Sequence, residues 1–211
     1  VQVLLRDQPG IRHLEILLAD INGIIRGKRI ALDEVPALFS RGLNLSASAH
    51  LLDTRGRNVD GLGLGTDDGD PDFLARPVVG SVSPVPWAAG PLAQCLVSMY
   101  TREGKPYFAE GRHVLAAVVK CFADQGLQPV LAIEMEFYLL ADVDGAAPQL
   151  AVGRIPGTRT VHTGPQLYNV EDLHDLDPFL RELDEACRAQ KLPASAVVSE
   201  AAPGQFEVNL H

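Results

Sequence analysis

Residues 129–140 read Pro-Val-Leu-Ala-Ile-Glu-Met-Glu-Phe-Tyr-Leu-Leu, an apolar run interrupted by two acids, Glu134 and Glu136. Its length and apolar content predict a β-strand. Side chains two residues apart on a strand point to the same side of the sheet, about 6.6 Å apart along the chain. A strand interior rarely holds acids unless something compensates their charge. The stretch predicts two carboxylates on one face, although the commoner arrangement for such a pair is a half-exposed sheet that turns both acids to solvent.

A second pair of acids brackets a turn near the end of the sequence, in Glu200-Ala-Ala-Pro-Gly-Gln-Phe-Glu207. Pro203 and Gly204 favour a chain reversal, which would bring Glu200 and Glu207 into one region. Carboxylate oxygens suit Mg²⁺ or Mn²⁺, and such metals commonly assist phosphoryl transfer. Taken alone, these two residues would be ordinary surface acids. Together, the two pairs predict a divalent-metal site.

The composition narrows the class of protein. The 211 residues are 46% hydrophobic with a formal net charge of −9, which favours a folded chain and argues against a nucleic-acid partner. The three cysteines are widely spaced, as in proteins with reduced thiols, and no stretch is long and apolar enough to span a membrane. We expect a soluble, cytoplasmic protein with no membrane partner, and the two ends of the sequence suggest a fragment.

The first half of the sequence is predicted to consist mainly of β-strands. Asn22-Gly23 predicts a hairpin turn. The predicted strands are 14–21, 24–30 and 94–100. Asp33 is the predicted cap of a short helix that runs through Phe39 and is closed by Gly42. The glycine-rich stretch 55–72 is predicted to be a long loop.

The second half mixes helices and strands. A helix is predicted over 110–125, where Val114, Val118 and Phe122 recur at helical spacing. A surface loop is predicted over 144–165. Asp177-Pro178 is predicted to open another helix, with Asp177 as its cap. Strands are predicted over 196–199 and 206–210. This order of elements is α+β.

Several segments together resemble the glutamine synthetase family. They are Ala19-Asp-Ile-Asn-Gly-Ile-Ile-Arg-Gly-Lys28, Gly61-Leu-Gly-Leu-Gly65, Pro86-Trp87, Glu134-Met-Glu-Phe-Tyr138 and Glu200-Ala-Ala-Pro-Gly-Gln-Phe-Glu207. The resemblance covers nearly the whole chain and implies a β-grasp N-terminal domain at residues 1–103. Residues 104–211 would then be the first, incomplete half of a catalytic α/β domain. Within the family, these sequence motifs are most similar to those of the γ-glutamylpolyamine synthetases.

The resemblance also implies the chemistry. ATP would phosphorylate the γ-carboxylate of glutamate, and an amine would displace the phosphate with the help of two or more Mg²⁺ or Mn²⁺ ions. Glu136, Glu200 and Glu207 would hold one metal and Glu134 the other. His211 is interpreted as a strand-end residue rather than a ligand. The residues that bind ATP and glutamate are expected beyond it, so this chain alone would be inactive. Family members form rings with active sites between subunits, and a homo-oligomer is expected.

The sequence does not identify the amine substrate. The loop that helps ordinary glutamine synthetases hold ammonium is replaced by Asp53-Thr-Arg-Gly-Arg-Asn-Val-Asp-Gly61, in which Asp53 and Asp60 are candidates for amine contact. The departure favours a larger amine, for example a polyamine such as putrescine. The alternatives are an ordinary glutamine synthetase that uses ammonia, and a non-catalytic oligomerisation or regulatory module of the same fold.

Overall fold

The computed structural model describes residues 2–141, 147, 149–155 and 157–210. The chain divides into two compact units, Val1–Pro129 and Val130–His211. The predicted strand-end role of His211 and part of the predicted loop 144–165 lie outside the described residues. No helix in the described part of the chain is long and apolar enough to cross a membrane.

The first unit is built around a mixed sheet. Its strands are β1 (His13–Ala19), β2 (Ile25–Ala31), β3 (Leu43–Ser46), β4 (Asp72–Pro77), β5 (Ser83–Pro84) and β6 (Ala93–Tyr100). Its helices are α1 (Gln2–Asp7), α2 (Val35–Arg41) and α3 (Gly111–Asp124), with single 3₁₀ turns at Leu32–Glu34, Ala47–His50 and Gly65–Asp68. Among the described residues, the strands lie in the order β2–β1–β6–β4–β3, and β5 also pairs with β6. β1 and β6 run parallel, while the other described pairs are antiparallel.

The β1–β2 hairpin is confirmed, and a buried carboxylate shapes its turn. Asp20 accepts hydrogen bonds from the N–H groups of Asn22 and Ile24 and from the guanidinium of Arg26. Burial alone would raise the pKa of Asp20, but these hydrogen bonds and the charge of Arg26 outweigh it and lower the pKa. Gly23 supplies the positive φ of the turn, +75°.

The hairpin also depends on Gly27. This residue lies opposite Leu17 in the ladder and has a φ of +150°. A Cβ atom there would lie 1.7 Å from the carbonyl oxygen of Ile16, far inside van der Waals contact. Only glycine therefore allows β2 to approach β1 so closely at this point.

The core of the first unit lies between the sheet and α2. Its largest fully buried side chains are Ile11, Leu14, Ile16, Leu18, Leu38, Met99 and Cys95. The buried polar residues of this unit include His50 and Glu110, which are 3% and 2% exposed. Glu110 accepts a hydrogen bond from the N–H of Met99 and lies 3.3 Å from the ring of His113. The His50 ring meets Tyr107 edge-on, and neither of its nitrogens has a hydrogen-bond partner among the described residues.

The second unit holds an antiparallel sheet. Its strands are β7 (Ile133–Tyr138), β8 (Leu140–Ala141), β9 (Gln149–Leu150), β10 (Ala194–Ser199) and β11 (Gln205–Leu210), and its helices are α4 (Val170–Asp175) and α5 (Asp177–Gln190). In the described residues, β10, β11 and β7 form one sheet in that order, and β8 pairs with β9. Phe137 contacts Phe179 of α5 and Phe206 of β11, so the helices cover the face that carries these aromatic rings.

The predicted helices and strands are confirmed with changes at their edges, but the predicted loop 144–165 contains the short strand β9. Asp33 does not cap a helix, because the chain first makes a 3₁₀ turn and α2 starts at Val35. Asp177 is the first residue of α5 rather than its cap, and its carboxylate pairs with Arg181 instead. The predicted loop 55–72 contains a 3₁₀ turn and ends at β4, a strand that the sequence did not predict.

The fold is mixed α+β, as predicted. The β-grasp assignment and the division into residues 1–103 and 104–211 stay predictions. The helix predicted over 110–125 is confirmed as α3, but its apolar residues are not buried: Val114, Leu115, Val118, Val119 and Phe122 are 40–58% exposed.

Candidate metal centre

The four predicted glutamates share one face of the β10–β11–β7 sheet. In the antiparallel pairing of β11 with β7, Glu207 lies opposite Glu136, and Asn209 lies opposite Glu134. Residues directly opposite each other, or two apart on one strand, point to the same side. Glu134, Glu136 and Glu207 therefore share a side, the one opposite to the aromatic rings of the helix-covered face.

Glu200 joins the same face from the end of β10. Val198 lies opposite Glu207, and Glu200 follows Val198 by two residues. The N–H of Glu200 donates to the carbonyl of Gln205 at 2.9 Å, which continues the ladder by one more pair. The tight turn that follows has Gly204 at a φ of +74°, as the Pro203-Gly204 signal predicted. The turn thus brings Glu200, just after the end of β10, close to the strand that carries Glu207.

Like charge accumulates on this face. Glu207 is 9% exposed, whereas Glu134 and Glu136 are exposed and Glu200 is half-buried. Burial raises the pKa of Glu207, and the negative charges of Glu134, Glu200 and Glu136 raise it further. Within the described residues, none of the four carboxylates forms an ion pair with an arginine, lysine or histidine. A cation would relieve this repulsion.

Two polar residues next to the carboxylates were not singled out from the sequence. The amide nitrogen of Gln205 donates to Glu136 Oε2 at 2.8 Å. The hydroxyl of Tyr138 donates to Gln205 Oε1 at 3.3 Å. Tyr138 follows Glu136 by two residues and Gln205 precedes Glu207 by two, so strand alternation could have placed both on the carboxylate face, although not in contact with each other.

The donor set fits a hard divalent cation. Mg²⁺ and Mn²⁺ prefer oxygen ligands, and all four candidate side chains supply carboxylate oxygens from one face. In the arrangement described here, no three His, Cys, Asp or Glu side chains of the described residues converge closely enough to hold an ion. The strands therefore set the positions of the candidate ligands, and the side chains would have to turn towards a bound ion.

Asp53 and Asp60, the candidates for amine contact, belong to the first unit. The carboxylate of Asp53 interacts with neighbouring residues of its own loop. Its Oδ1 accepts hydrogen bonds from the backbone N–H groups of Arg55 and Arg57, and its Oδ2 forms an ion pair with the guanidinium of Arg57 at 3.0 Å. The hydrogen bond from Arg57 is the main cause of the lowered pKa of Asp53. Asp60 is exposed. The contacts of Asp53 indicate that it shapes the loop.

Comparison with known proteins found a matching family model, similar sequences and similar structures. The family model for the catalytic domain of glutamine synthetase matches residues 108–211. Gamma-glutamylputrescine synthetase PuuA of Escherichia coli (strain K12) is 38% identical, over 100% of this chain and 44% of that protein. Glutamate–isopropylamine ligase of a Pseudomonas species is 26% identical, over 97% of this chain and 44% of that protein. The crystal structure of a novel glutamine synthase homolog superposes with a TM-score of 0.72 at 20% identity, over 95% of this chain and 43% of that one. The chain thus spans less than half of the length of each relative.

Proposed function

Because this chain belongs to the glutamine synthetase family, we propose that it supplies the carboxylate metal site of an ATP-dependent ligase that joins the γ-carboxylate of glutamate to an amine. The observation that carries the proposal is the carboxylate face itself, where Glu207 lies opposite Glu136 with Glu134 and Glu200 on the same side. Similarity to two glutamate–amine ligases supports the reaction class.

In this proposal the four glutamates divide between two Mg²⁺ or Mn²⁺ ions. Glu136, Glu200 and Glu207 hold one ion, and Glu134 contributes to the other. When bound, such ions neutralise the charge that develops on a transferring phosphoryl group. The chain's own contribution is to hold the acids at fixed places on adjacent strands, so that less ordering is needed when the ions and substrates bind.

The proposed amine is a polyamine such as putrescine, since the similarity to γ-glutamylputrescine synthetase is 38% over the whole chain. Of the two candidate acids, Asp60 is the better choice for amine contact, because the oxygens of Asp53 are already engaged by Arg55 and Arg57. The further parts of the proposal are a cytoplasmic enzyme and a homo-oligomeric ring in which the loop 55–72 faces a neighbouring subunit.

The test uses the complete product of the gene that encodes this sequence. ADP release is measured with ATP, Mg²⁺, glutamate and one of three amines: putrescine, isopropylamine or ammonium. Release that requires both glutamate and putrescine supports the proposal, and a preference for ammonium would indicate an ordinary glutamine synthetase. If no amine stimulates ADP release, the ligase proposal is wrong and a non-catalytic module is the better explanation.

The 211-residue chain is assayed beside it. We expect no amine-dependent ADP release from this chain alone, since it spans 44% of the length of γ-glutamylputrescine synthetase. Turnover by the purified chain would show that the remaining substrate contacts are already present within these 211 residues.

A further inference from the structure

Gln205 links two strands through its side-chain amide. It lies at the start of β11, opposite Tyr138 in the pairing with β7. Its amide nitrogen donates to Glu136 Oε2 at 2.8 Å, a well-formed hydrogen bond between an amide donor and a carboxylate acceptor. The amide therefore reaches across the strand pair to one of the four acids.

The orientation of this amide is fixed by its other end. Gln205 Oε1 accepts hydrogen bonds from the hydroxyl of Tyr138 and from the backbone N–H of Ala202, each with a donor–acceptor distance of 3.3 Å. A backbone N–H can donate but cannot accept, so the oxygen of the amide must face Ala202. The nitrogen must then face Glu136, where it can serve only as a donor.

This bond engages one oxygen of a long, exposed side chain. A free glutamate samples many rotamers, and ordering it on metal binding has an entropic cost. Oε2 of Glu136 is engaged by Gln205, and Glu207 lies directly opposite Glu136 on the adjacent strand. The amide also partly offsets the repulsion between these two acids.

We propose that Gln205 is a positioning residue that orients Glu136 for divalent-metal binding, with Tyr138 and Ala202 holding the amide in its donating orientation. The inference rests on the proposed metal site and adds to it a residue that does not itself hold the metal. Partners that orient ligating carboxylates in this way commonly change metal affinity 10- to 100-fold.

The test is a Mn²⁺ titration of the 211-residue chain, with free Mn²⁺ followed by electron paramagnetic resonance. Gln205→Met keeps the length of the side chain and removes both hydrogen-bonding groups. We expect it to weaken Mn²⁺ binding about 10-fold or more. Tyr138→Phe, which removes one of the two donors to Oε1, should cause a smaller loss. The matched control is Gln125→Met, because the Gln125 amide contacts only the carbonyl of Cys121 among the described residues.

Urea unfolding of each variant separates positioning from folding. A purely structural role for Gln205 would lower stability and leave the affinity for Mn²⁺ unchanged, and that result would overturn the inference while the metal site stands. If Gln205→Met does not fold, Gln205→Asn withdraws the amide by one methylene and carries the same expectation. If the unaltered chain binds no Mn²⁺, the metal site fails as well, and the inference fails with it.

Discussion

Glu136 of β7 and Glu207 of β11 lie directly opposite each other on adjacent antiparallel strands. Opposed like charges destabilise a strand pair, and here two further carboxylates, Glu134 and Glu200, add to the repulsion. The fold therefore maintains an arrangement that is unfavourable for the metal-free chain. Functional sites often conflict with stability in this way.

The first prediction follows from this conflict. Glu207→Gln removes one of the opposed charges with almost no change in side-chain volume. We expect the metal-free variant to melt at a higher temperature than the unaltered chain and to bind Mn²⁺ more weakly. Thermal unfolding and Mn²⁺ titration measure the two effects. Glu182→Gln, an exposed acid of α5, is the control and should change neither. If the melting temperature falls and the affinity for Mn²⁺ is unchanged, Glu207 supports the fold and not the site.

A second prediction concerns the ion pair beneath the β1–β2 turn. The side chain of Asp20 is 1% exposed, and its removal would leave Arg26, 20% exposed, without its carboxylate partner. Asp20→Ala should lower the free energy of unfolding by about 3 kcal/mol. Urea denaturation measures the loss. The exposed Asp60→Ala provides the comparison and should lie within about 0.5 kcal/mol of the unaltered chain. Equal stabilities of the two variants would contradict the structural role of Asp20.

A third prediction contrasts two glycines of the same hairpin. Gly27→Ala places a Cβ atom 1.7 Å from the backbone oxygen of Ile16, so the strands must separate. We expect a loss of about 3 kcal/mol or more in the free energy of unfolding. At Gly23 nothing lies within 4 Å of the new atom, and only the positive φ is unfavourable, which costs about 1 kcal/mol. Urea denaturation of both variants ranks them, and a smaller loss at Gly27 would contradict the described register of β1 with β2.

A fourth prediction is a pH dependence that originates at His50. Burial lowers the pKa of this residue, although the charges of Glu110 and Asp20 oppose the shift, while those of His113 and Arg26 add to it. Below about pH 6.5 the unfolded chain takes up a proton that the folded chain does not. Stability should therefore fall as the pH drops from 6.5 towards the folded-state pKa, by at most about 1.4 kcal/mol per pH unit.

Chemical denaturation at pH 7.5 and pH 5.5 measures this contribution. The difference between the two pH values should be smaller in His50→Gln than in the unaltered chain. His13→Gln, at an exposed histidine, should preserve the full difference. Equal pH dependence in all three proteins would show that His50 accepts its proton without cost in the folded state.

Local signals predicted much of the chain. Asn22-Gly23 was enough for the β1–β2 hairpin, because the turn geometry is encoded in two adjacent residues. The two-residue spacing of Glu134 and Glu136 correctly predicted a shared face, and the Pro203-Gly204 turn correctly predicted that Glu200 and Glu207 lie in one region. Each of these features depends on residues that are close in sequence.

Local sequence patterns did not predict which strands pair when the strands are far apart in the sequence. The parallel contact of β1 with β6 joins residues such as Leu14 and Ala93, and the pairing of β11 with β7 sets Glu207 opposite Glu136. Hydrophobic alternation indicates which side of a strand is buried, but it does not identify the neighbouring strand. The contact between Gln205 and Glu136 depends on that pairing, which is why the sequence alone did not single out Gln205.

The turn between β10 and β11 has a consequence for inherited variation. Ser199 lies opposite Phe206, so every residue from Glu200 to Gln205 counts towards the register of the two strands. Gain or loss of a single codon there, if it shifted the register by one residue, would turn Glu207 to the face of the aromatic rings. Substitutions such as Ala201→Ser should be tolerated at this exposed position, whereas one-residue insertions and deletions should be rare among functional descendants of this gene.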